Sequence, residues 1–532
     1  MIITISFLVF GCKTLDTSIT KSQPILSPLQ IAEQQAIQEA LEQEQALLTD
    51  ECVAESQSVD PQAFEDVWDR VRSQLSFDIP DNRRIRAQKS WYLRHPSYME
   101  RVTSRSSPYL FFIVEELEKN NLPLEMALLP IVESAFDPFA YSHGRASGMW
   151  QFIPGTGRNF GLKQNWWYDG RRDVYQSTKA AIKFLSYLHK RFDGDWLHAL
   201  AAYNSGEGNV RKAIRLNKKR NKPTDFWNLK LPKETKAYVP KLLALTELLR
   251  DVDKHQLTWT PVPNLPHFDK VDTESQIDLS LAAALAEVSM DEFYQLNPAY
   301  NHWATSPKGP HSVLLPIENI ETFKQNLSKI PKDQRISYKK YQIKSGDSLI
   351  KIAKKFGTTV ELLRENNQIR GNQIRAGKSI LIPVASKARN EYHKSANQRL
   401  LANQNRERQG QKVTIHVQSG DSFWDLSRKY KVNMRQLAKW NNMAPTDPLK
   451  VGQPLVIWTK QPQKAMSLAS NTNKKTKKIY YQVRQGDSLA RIADKFKVSL
   501  ASVKRWNKSA GKKKYLQPGD SLTLYVDITQ QY

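Results

Sequence analysis

One carboxylate, Glu133, closes an apolar run, Leu128-Leu129-Pro130-Ile131-Val132, and is followed by Ser134, Ala135 and Phe136. A carboxyl among so many apolar neighbours loses solvation, so its pKa is predicted above the ordinary value of about 4.3. A raised carboxyl is what a general acid needs to protonate a glycosidic oxygen near neutral pH. Further along comes Gly148-Met149-Trp150-Gln151. Gly148 permits close backbone approach, Trp150 offers a stacking face and Gln151 offers amide hydrogen bonds. Acid, stacking plane and amide together suit a polymer of sugars. Asp137, Asp169 and Asp173 are the competing acids. Asp137, before Pro138, reads as a turn, and Asp173 as a helix cap. The ten histidines are scattered without ligand spacing and the only cysteines are Cys12 and Cys52, so neither a metal nor a cofactor is expected.

Helices must position these groups. The run Pro108 to Asn120 is amphipathic, with Pro108 suited to the first turn and Ser107 to the cap. Leu122-Pro123 restarts a helix that carries Leu124, Met126, Ala127, Leu128 and Leu129 toward Glu133, with Pro130 disturbing its last turn. Thr178 to Phe192 and Glu234 to Leu249 place apolar residues three and four apart. Trp196 to Tyr203 leads into the glycine-rich turn Asn204-Ser205-Gly206-Glu207-Gly208. Strand-like alternation is missing before about residue 260, which predicts an all-α region of many short helices around a cleft.

Four blocks stand in order: Glu133-Ser134; Gly148-Met149-Trp150-Gln151 with Pro154 and Thr156; Ala202-Tyr203-Asn204-Ser205-Gly206; and Glu234-Thr235 with Tyr238-Val239-Pro240. Together they resemble the catalytic domain of the soluble-type lytic transglycosylases, relatives of goose-type lysozyme, and Trp150 resembles a membrane-bound branch of that family. The resemblance implies cleavage of peptidoglycan between N-acetylmuramic acid and N-acetylglucosamine. Glu133 would act first as acid, then as the base that takes the muramic C6 hydroxyl proton, leaving a 1,6-anhydro ring. It further implies substrate-binding roles for Ser142, Gly148, Met149, Gln151, Tyr203 and Asn204. Ser142 would hydrogen-bond near the acid, Tyr203 would orient the N-acetyl group, and Asn204 would hold its loop. Glu234 and Tyr238 would brace the cleft floor, with Glu234 reaching Tyr203. Trp166-Trp167 suits either sugar stacking or core packing.

The C-terminal third repeats itself. Tyr341 to Pro383, His416 to Trp458 and Tyr481 to Val526 each open with a short strand into Gly-Asp-Ser: Gly346-Asp347-Ser348, Gly420-Asp421-Ser422 and Gly486-Asp487-Ser488. The serine caps a helix whose apolar face follows, as in Leu349, Ile352, Ala353 and Phe356. A second helix ends at Asn366-Asn367, Asn441-Asn442 or Asn507, and Gly377, Gly452 or Gly519 turns into a last strand. These segments resemble LysM modules, a small βααβ fold that binds N-acetylglucosamine-containing glycans. Carried over, the resemblance implies glycan contacts near Asp347, Ser348 and Ile369; Asp421, Ser422 and Met443; and Asp487 and Ser488. Each of these residues also suits a turn or cap.

The predicted fold class is a mostly α, lysozyme-like catalytic domain followed by βααβ modules, multidomain with flexible linkers. The domain map is 1–12 lipoprotein-type signal, 13–60 flexible tether, and 61–250 catalytic domain with an N-terminal helical extension. It continues with 251–335, either a degenerate LysM relative or a packing extension, then 341–384 first module, 385–412 linker, 413–458 second module, 459–479 linker and 480–527 third module. The linker after the first module reaches on the order of 30 Å as a random coil. Apolar MIITISFLVFGC ends in Cys12, and Val9-Phe10-Gly11 before it resembles the tail of a lipoprotein signal. The stretch lacks a positive n-region and carries a bulky Phe10, which leaves an ordinary secretory signal or a late start open. With Lys13 rather than Asp after the cysteine, the resemblance implies lipid anchoring on the periplasmic face of the outer membrane. Net charge of +26 and a pI near 9.7 call for anionic partners. The sequence holds no nucleic-acid-binding motif, so peptidoglycan strands and a membrane are the expected partners of a monomer, not nucleic acid. A hydrolytic muramidase and a non-catalytic wall-tethering protein are the alternative functions.

Overall fold

The computed structural model describes residues 63–459, 476–507 except 486 and 497, and 516–527. Cys12, the tether 13–60, Gly486 and most of the second linker lie outside the described residues.

The first part is helical: α1 Val67–Ser73, α2 Arg83–Leu93, α3 Pro96–Ser106, α4 Leu110–Lys119, α5 Leu129–Ser134, α6 Pro154–Asn159, α7 Val174–Arg191, α8 Trp196–Ser205, α9 Glu207–Lys218 and α10 Lys233–Arg250. Helix α4 turns Leu110, Ile113, Val114 and Leu117 inward, the spacing its sequence gives. It begins later than expected: Ser107 is the C-cap of α3, Pro108 lies in the turn between the helices, and no side chain caps α4. Pro130 also differs from expectation. A 3₁₀ helix, Leu124–Leu128, ends before it, and Pro130 sits in the first turn of α5, where its missing N–H costs no helical bond. Buried Leu242, Leu243, Leu245, Leu248 and Leu249 make α10 the central helix, packed against α2 and α8.

Four βααβ units follow. The first is β1 Phe268–Asp272, α11 Leu279–Leu285, α12 Met290–Leu296 and β2 Ser312–Pro316, trailed by α13 Ile320–Ser328. The second is β3 Ser337–Gln342, α14 Leu349–Phe356, α15 Val360–Asn367 and β4 Ser379–Val384. A further helix, α16 Ala396–Asn405, precedes the third: β5 Gln411–His416, α17 Phe423–Lys429, α18 Met434–Trp440 and β6 Pro454–Thr459. The fourth is β7 Thr476–Gln482, α19 Leu489–Lys495, α20 Leu500–Trp506 and β8 Ser521–Asp527. Each unit pairs its two strands antiparallel.

One asparagine closes each unit in the same way. Asn297, Asn367, Asn441 and Asn507 each donate to two carbonyls, one on the second helix and one on the last strand, and accept an N–H from that strand. Residues 268–316 therefore share the fold of the repeats. They are also a packing extension: Phe268, Leu296 and Leu314 join the helical core, while Trp167 and Tyr168 are buried in the unit's own core.

The segment 385–412 is not a free coil. Tyr392 donates to Asp278 at 2.8 Å, the Ser386 N–H bonds the same carboxylate at 2.9 Å, and the Ala396 N–H reaches the Asn301 carbonyl at 2.8 Å. At its far end Gln404 donates to Asn441 at 2.8 Å. Its polar composition suggested flexibility, but those polar groups are spent on partners in the first and third units.

Candidate functional site

Glu133 stands in the last turn of α5. Ala135 and Phe136 follow in left-handed conformation, at φ 54° and 53°, and turn the chain away so that the carboxylate faces a cavity of about 510 Å³. Tyr238, buried on α10, donates its hydroxyl to Glu133 Oε1 at 2.6 Å. Burial pushes Glu133 up to about 7. The Tyr238 bond and Lys241 oppose that rise, and the nearby charge of Glu234 adds to it.

The segment after the acid is pinned from several sides. Ser134 Oγ donates to the Met149 carbonyl at 2.9 Å, tying α5 to the Gly148 turn. Gly148 adopts φ +83°, and a Cβ there would lie 1.9 Å from the Arg171 carbonyl oxygen, so the close approach expected of it is real. Arg171 donates to Asp169 through Nε and Nη2 at 2.9 and 2.8 Å, and through Nη1 to the Arg145 carbonyl at 2.6 Å. Burial alone would raise Asp169, but the Arg171 bonds and the Arg172 charge outweigh it and hold the carboxyl below its usual range. Asp173 caps α7 and accepts from Tyr168, and Asp137 accepts the Phe139 N–H. All three competing acids thus have structural partners.

The cavity brings together Glu133, Ser142, Gln151, Tyr203, Asn204 and Glu234. Gln151, at φ 48°, donates to the Gly148 carbonyl at 2.7 Å. Tyr203 donates to the Trp150 carbonyl at 2.8 Å, and Asn204 accepts from Thr235 at 2.8 Å, which fastens α8 to α10. Ser142 accepts N–H groups from Gly144 and Ala146 and so shapes the cavity lip, with no bond to the acid. Glu234 is exposed in the first turn of α10 and acts on Glu133 by charge, whereas the Tyr203 hydroxyl goes to Trp150, not to Glu234.

Two expectations from the sequence are corrected. Trp150 offers no stacking face: its side chain is fully buried and its indole N–H donates to Thr178 at 3.0 Å. Met149 is likewise in the core, and its contribution is the carbonyl held by Ser134. Trp167 packs in the core, and half-exposed Trp166 stacks on His302. The sequence reading missed Phe152, Ile153, Phe184 and Lys241, which also line the cavity. Lys241 had a legible signal, one helical turn beyond Tyr238 on the same face. The apolar three had none, because an aromatic or branched residue beside a cleft has the same local pattern as one in a core.

The Transglycosylase SLT domain matches residues 111–226, the LysM-like domain of lytic transglycosylase MltD matches 267–332, and LysM domains match 341–383, 415–458 and 481–524. Membrane-bound lytic murein transglycosylase D of Escherichia coli strain K12 is 37% identical over 405 residues, 74% of this chain and 86% of that protein. The protein of the same name from E. coli O6:H1 matches to the same extent. The chain belongs to the membrane-bound lytic murein transglycosylase D family. Among solved structures, the 70 kDa soluble lytic transglycosylase of E. coli is 19% identical, covering 32% of this chain and 30% of that one, at a TM-score of 0.23.

In this family member the LysM residues singled out for glycan contact carry local structure. Asp347 accepts from the Lys344 N–H and the Tyr341 hydroxyl, and Asp487 repeats the pattern with Arg484 and Tyr481. Asp421 accepts the Gln418 N–H. Ser348, Ser422 and Ser488 cap α14, α17 and α19. Ile369 and Met443 pack, half-buried, against their module cores.

Proposed function

We propose that the chain is a peptidoglycan lytic transglycosylase in which Glu133 works twice. Its proton passes to the oxygen joining N-acetylmuramic acid to N-acetylglucosamine, and the muramic C1–O bond breaks. The oxocarbenium-like centre is assisted by the substrate's N-acetyl group. The C6 hydroxyl oxygen then bonds C1 and returns its proton to Glu133, so no water is consumed and a 1,6-anhydro ring remains. The observation that carries this is one carboxyl, pushed to about 7, hydrogen-bonded to Tyr238 at the wall of a cavity. Desolvation serves both halves, by keeping the acid protonated and by excluding competing water. Gln151, Tyr203 and Asn204 hold the sugar and its loop, and Ser142 shapes the lip. The LysM modules grip glycan elsewhere on the mesh and raise local substrate concentration. The enzyme works as a monomer at the periplasmic face of the outer membrane, anchored through lipid on Cys12, with peptidoglycan rather than nucleic acid as its anionic partner. No helix among the described residues is long and apolar enough to cross a membrane.

A second reading, hydrolysis, is favoured by one observation: Glu234 lines the same cavity and could activate water. Mass analysis of purified wall digested by wild type and Glu133→Gln separates the readings. Anhydro-muropeptides that vanish in Glu133→Gln, with wall binding retained, are expected. Products with a reducing end, lost in Glu234→Gln, would mark a muramidase. Equal lysis by wild type and Glu133→Gln would mark a wall tether.

A further inference from the structure

The second LysM module is built onto the lip of the cavity. Its helix–strand loop carries Asp447, whose side chain is 13% exposed. Asp447 Oδ1 lies 2.8 Å from Arg145 Nε, and Oδ2 accepts from the Tyr141 hydroxyl at 3.3 Å and from the Ala444 N–H at 2.8 Å. Arg145 and Tyr141 bracket the turn that contributes Ser142, His143 and Gly144 to the cavity wall. That turn is otherwise held by the Ser142 hydroxyl and by Arg171 on the Arg145 carbonyl. Arg145 itself is at φ 69°, a conformation a non-glycine residue keeps only when its surroundings fix it.

The module's position does not rest on that ion pair alone. Helix α16 joins the module to the rest: Arg399 lies over the Phe139 ring at 4.9 Å, Gln404 donates to Asn441, and Asn403 donates to the Lys439 carbonyl at 2.6 Å. The strap fixes one side of the module and Asp447 the other. The loop bearing Asp447 is thereby presented to the lip in one place, and a weak, partly exposed pair suffices to choose the lip's conformation.

We propose that Asp447 is a positioning residue for the cleavage site: through Arg145 and Tyr141 it holds the 141–147 lip that binds sugar beside Glu133. The proposal rests on the cavity at Glu133 being the place of cleavage. The lip binds substrate and does not carry the acid, so loosening it raises KM and leaves kcat unchanged. A variant that merely misfolds in part would lower kcat at constant KM.

The test uses the full chain and a soluble tetrasaccharide of alternating N-acetylglucosamine and N-acetylmuramic acid. Asp447→Asn removes the charge and keeps an oxygen for the Ala444 N–H, while Arg145→Met removes the partner from the other side. Each is expected to raise KM roughly twofold to fivefold, the order a partly exposed ion pair supports, with kcat unchanged. The double variant should be no worse than either single one, and Arg145→Lys should keep a lower KM than Arg145→Met. Binding to intact wall, measured in a Glu133→Gln background, should not change. An unchanged KM in either single variant, or additive losses in the pair, overturns the proposal. So does a loss seen only in wall binding, which would make Asp447 a glycan contact of the module. Persisting activity in Glu133→Gln alone would overturn the reading of the cavity instead, and the two failures are thus distinct.

Discussion

In the mechanism proposed above, Glu133 holds a proton near neutral pH to donate it and then acts as a base within the same turnover. Tyr238 serves the first task, by stabilising the carboxylate that proton donation leaves behind. Its hydroxyl favours the carboxylate over the neutral acid. Removing that donor in Tyr238→Phe leaves the carboxylate less stabilised, so the proton binds more tightly. The alkaline limb of kcat/KM, expected near pH 7 in wild type, should therefore move upward by about half to one unit. The rate below that limb should fall roughly tenfold, because a carboxyl that binds its proton more tightly is the weaker acid. Glu234→Gln removes a like charge and should move the limb down. A pH–rate profile of the three proteins checks both signs, and a limb that stays in place in Tyr238→Phe counts against the assignment. At this scale much was legible: an acid after an apolar run reads as desolvated from sequence. Its partner was visible only as a residue expected on the cleft floor, since the sequence cannot say which hydroxyl points at which oxygen.

The elements show how local rules and long-range packing divide the work. Caps on α7, α14, α17 and α19 fall at the residues expected, because Asp and Ser satisfy orphan N–H groups wherever a helix begins. Pro130 and Ser107 fell elsewhere, because a proline near an apolar run looks the same whether it ends one helix or starts the next. The recurring asparagine is the strongest device in the small modules. Asn441 is 2% exposed and satisfies three backbone groups that have few other partners. Asn441→Ala should orphan the Val456 N–H and two carbonyls, lowering the module's stability by about 2–3 kcal/mol. Hydrogen exchange should show this as lost protection at Val456 and its neighbours on β6, with the helices around Glu133 unaffected.

Across the whole molecule, the catalytic helices do not end where their own amphipathic pattern ends. Trp167 and Tyr168 project into the core of the first βααβ unit, and Phe268, Leu296 and Leu314 of that unit complete the helical core. A chain cut to 63–260 would expose this apolar surface, whereas one running to 406 keeps the unit and most of its strap. The shorter form should aggregate or bind a hydrophobic dye strongly, and the longer should be soluble with one cooperative thermal transition for the helical part. Soluble, cooperative folding of 63–260 would show that the unit is an appendage. The ordered strap also changes how the positive charge is carried. Arg399 is half-buried beside Phe139, and desolvation pulls it down to about 9.

Periodicity, caps and repeated motifs are local, and these the sequence determined by itself: the helical region, the βααβ units and a desolvated carboxyl at Glu133. Tertiary structure alone decided what meets across distance. It buried Trp150, aimed Tyr238 at Glu133, ordered a polar linker and set Asp447 against Arg145. The physical reason is that a side chain's type fixes which bonds it can make, while only the packed chain fixes which partners lie within reach.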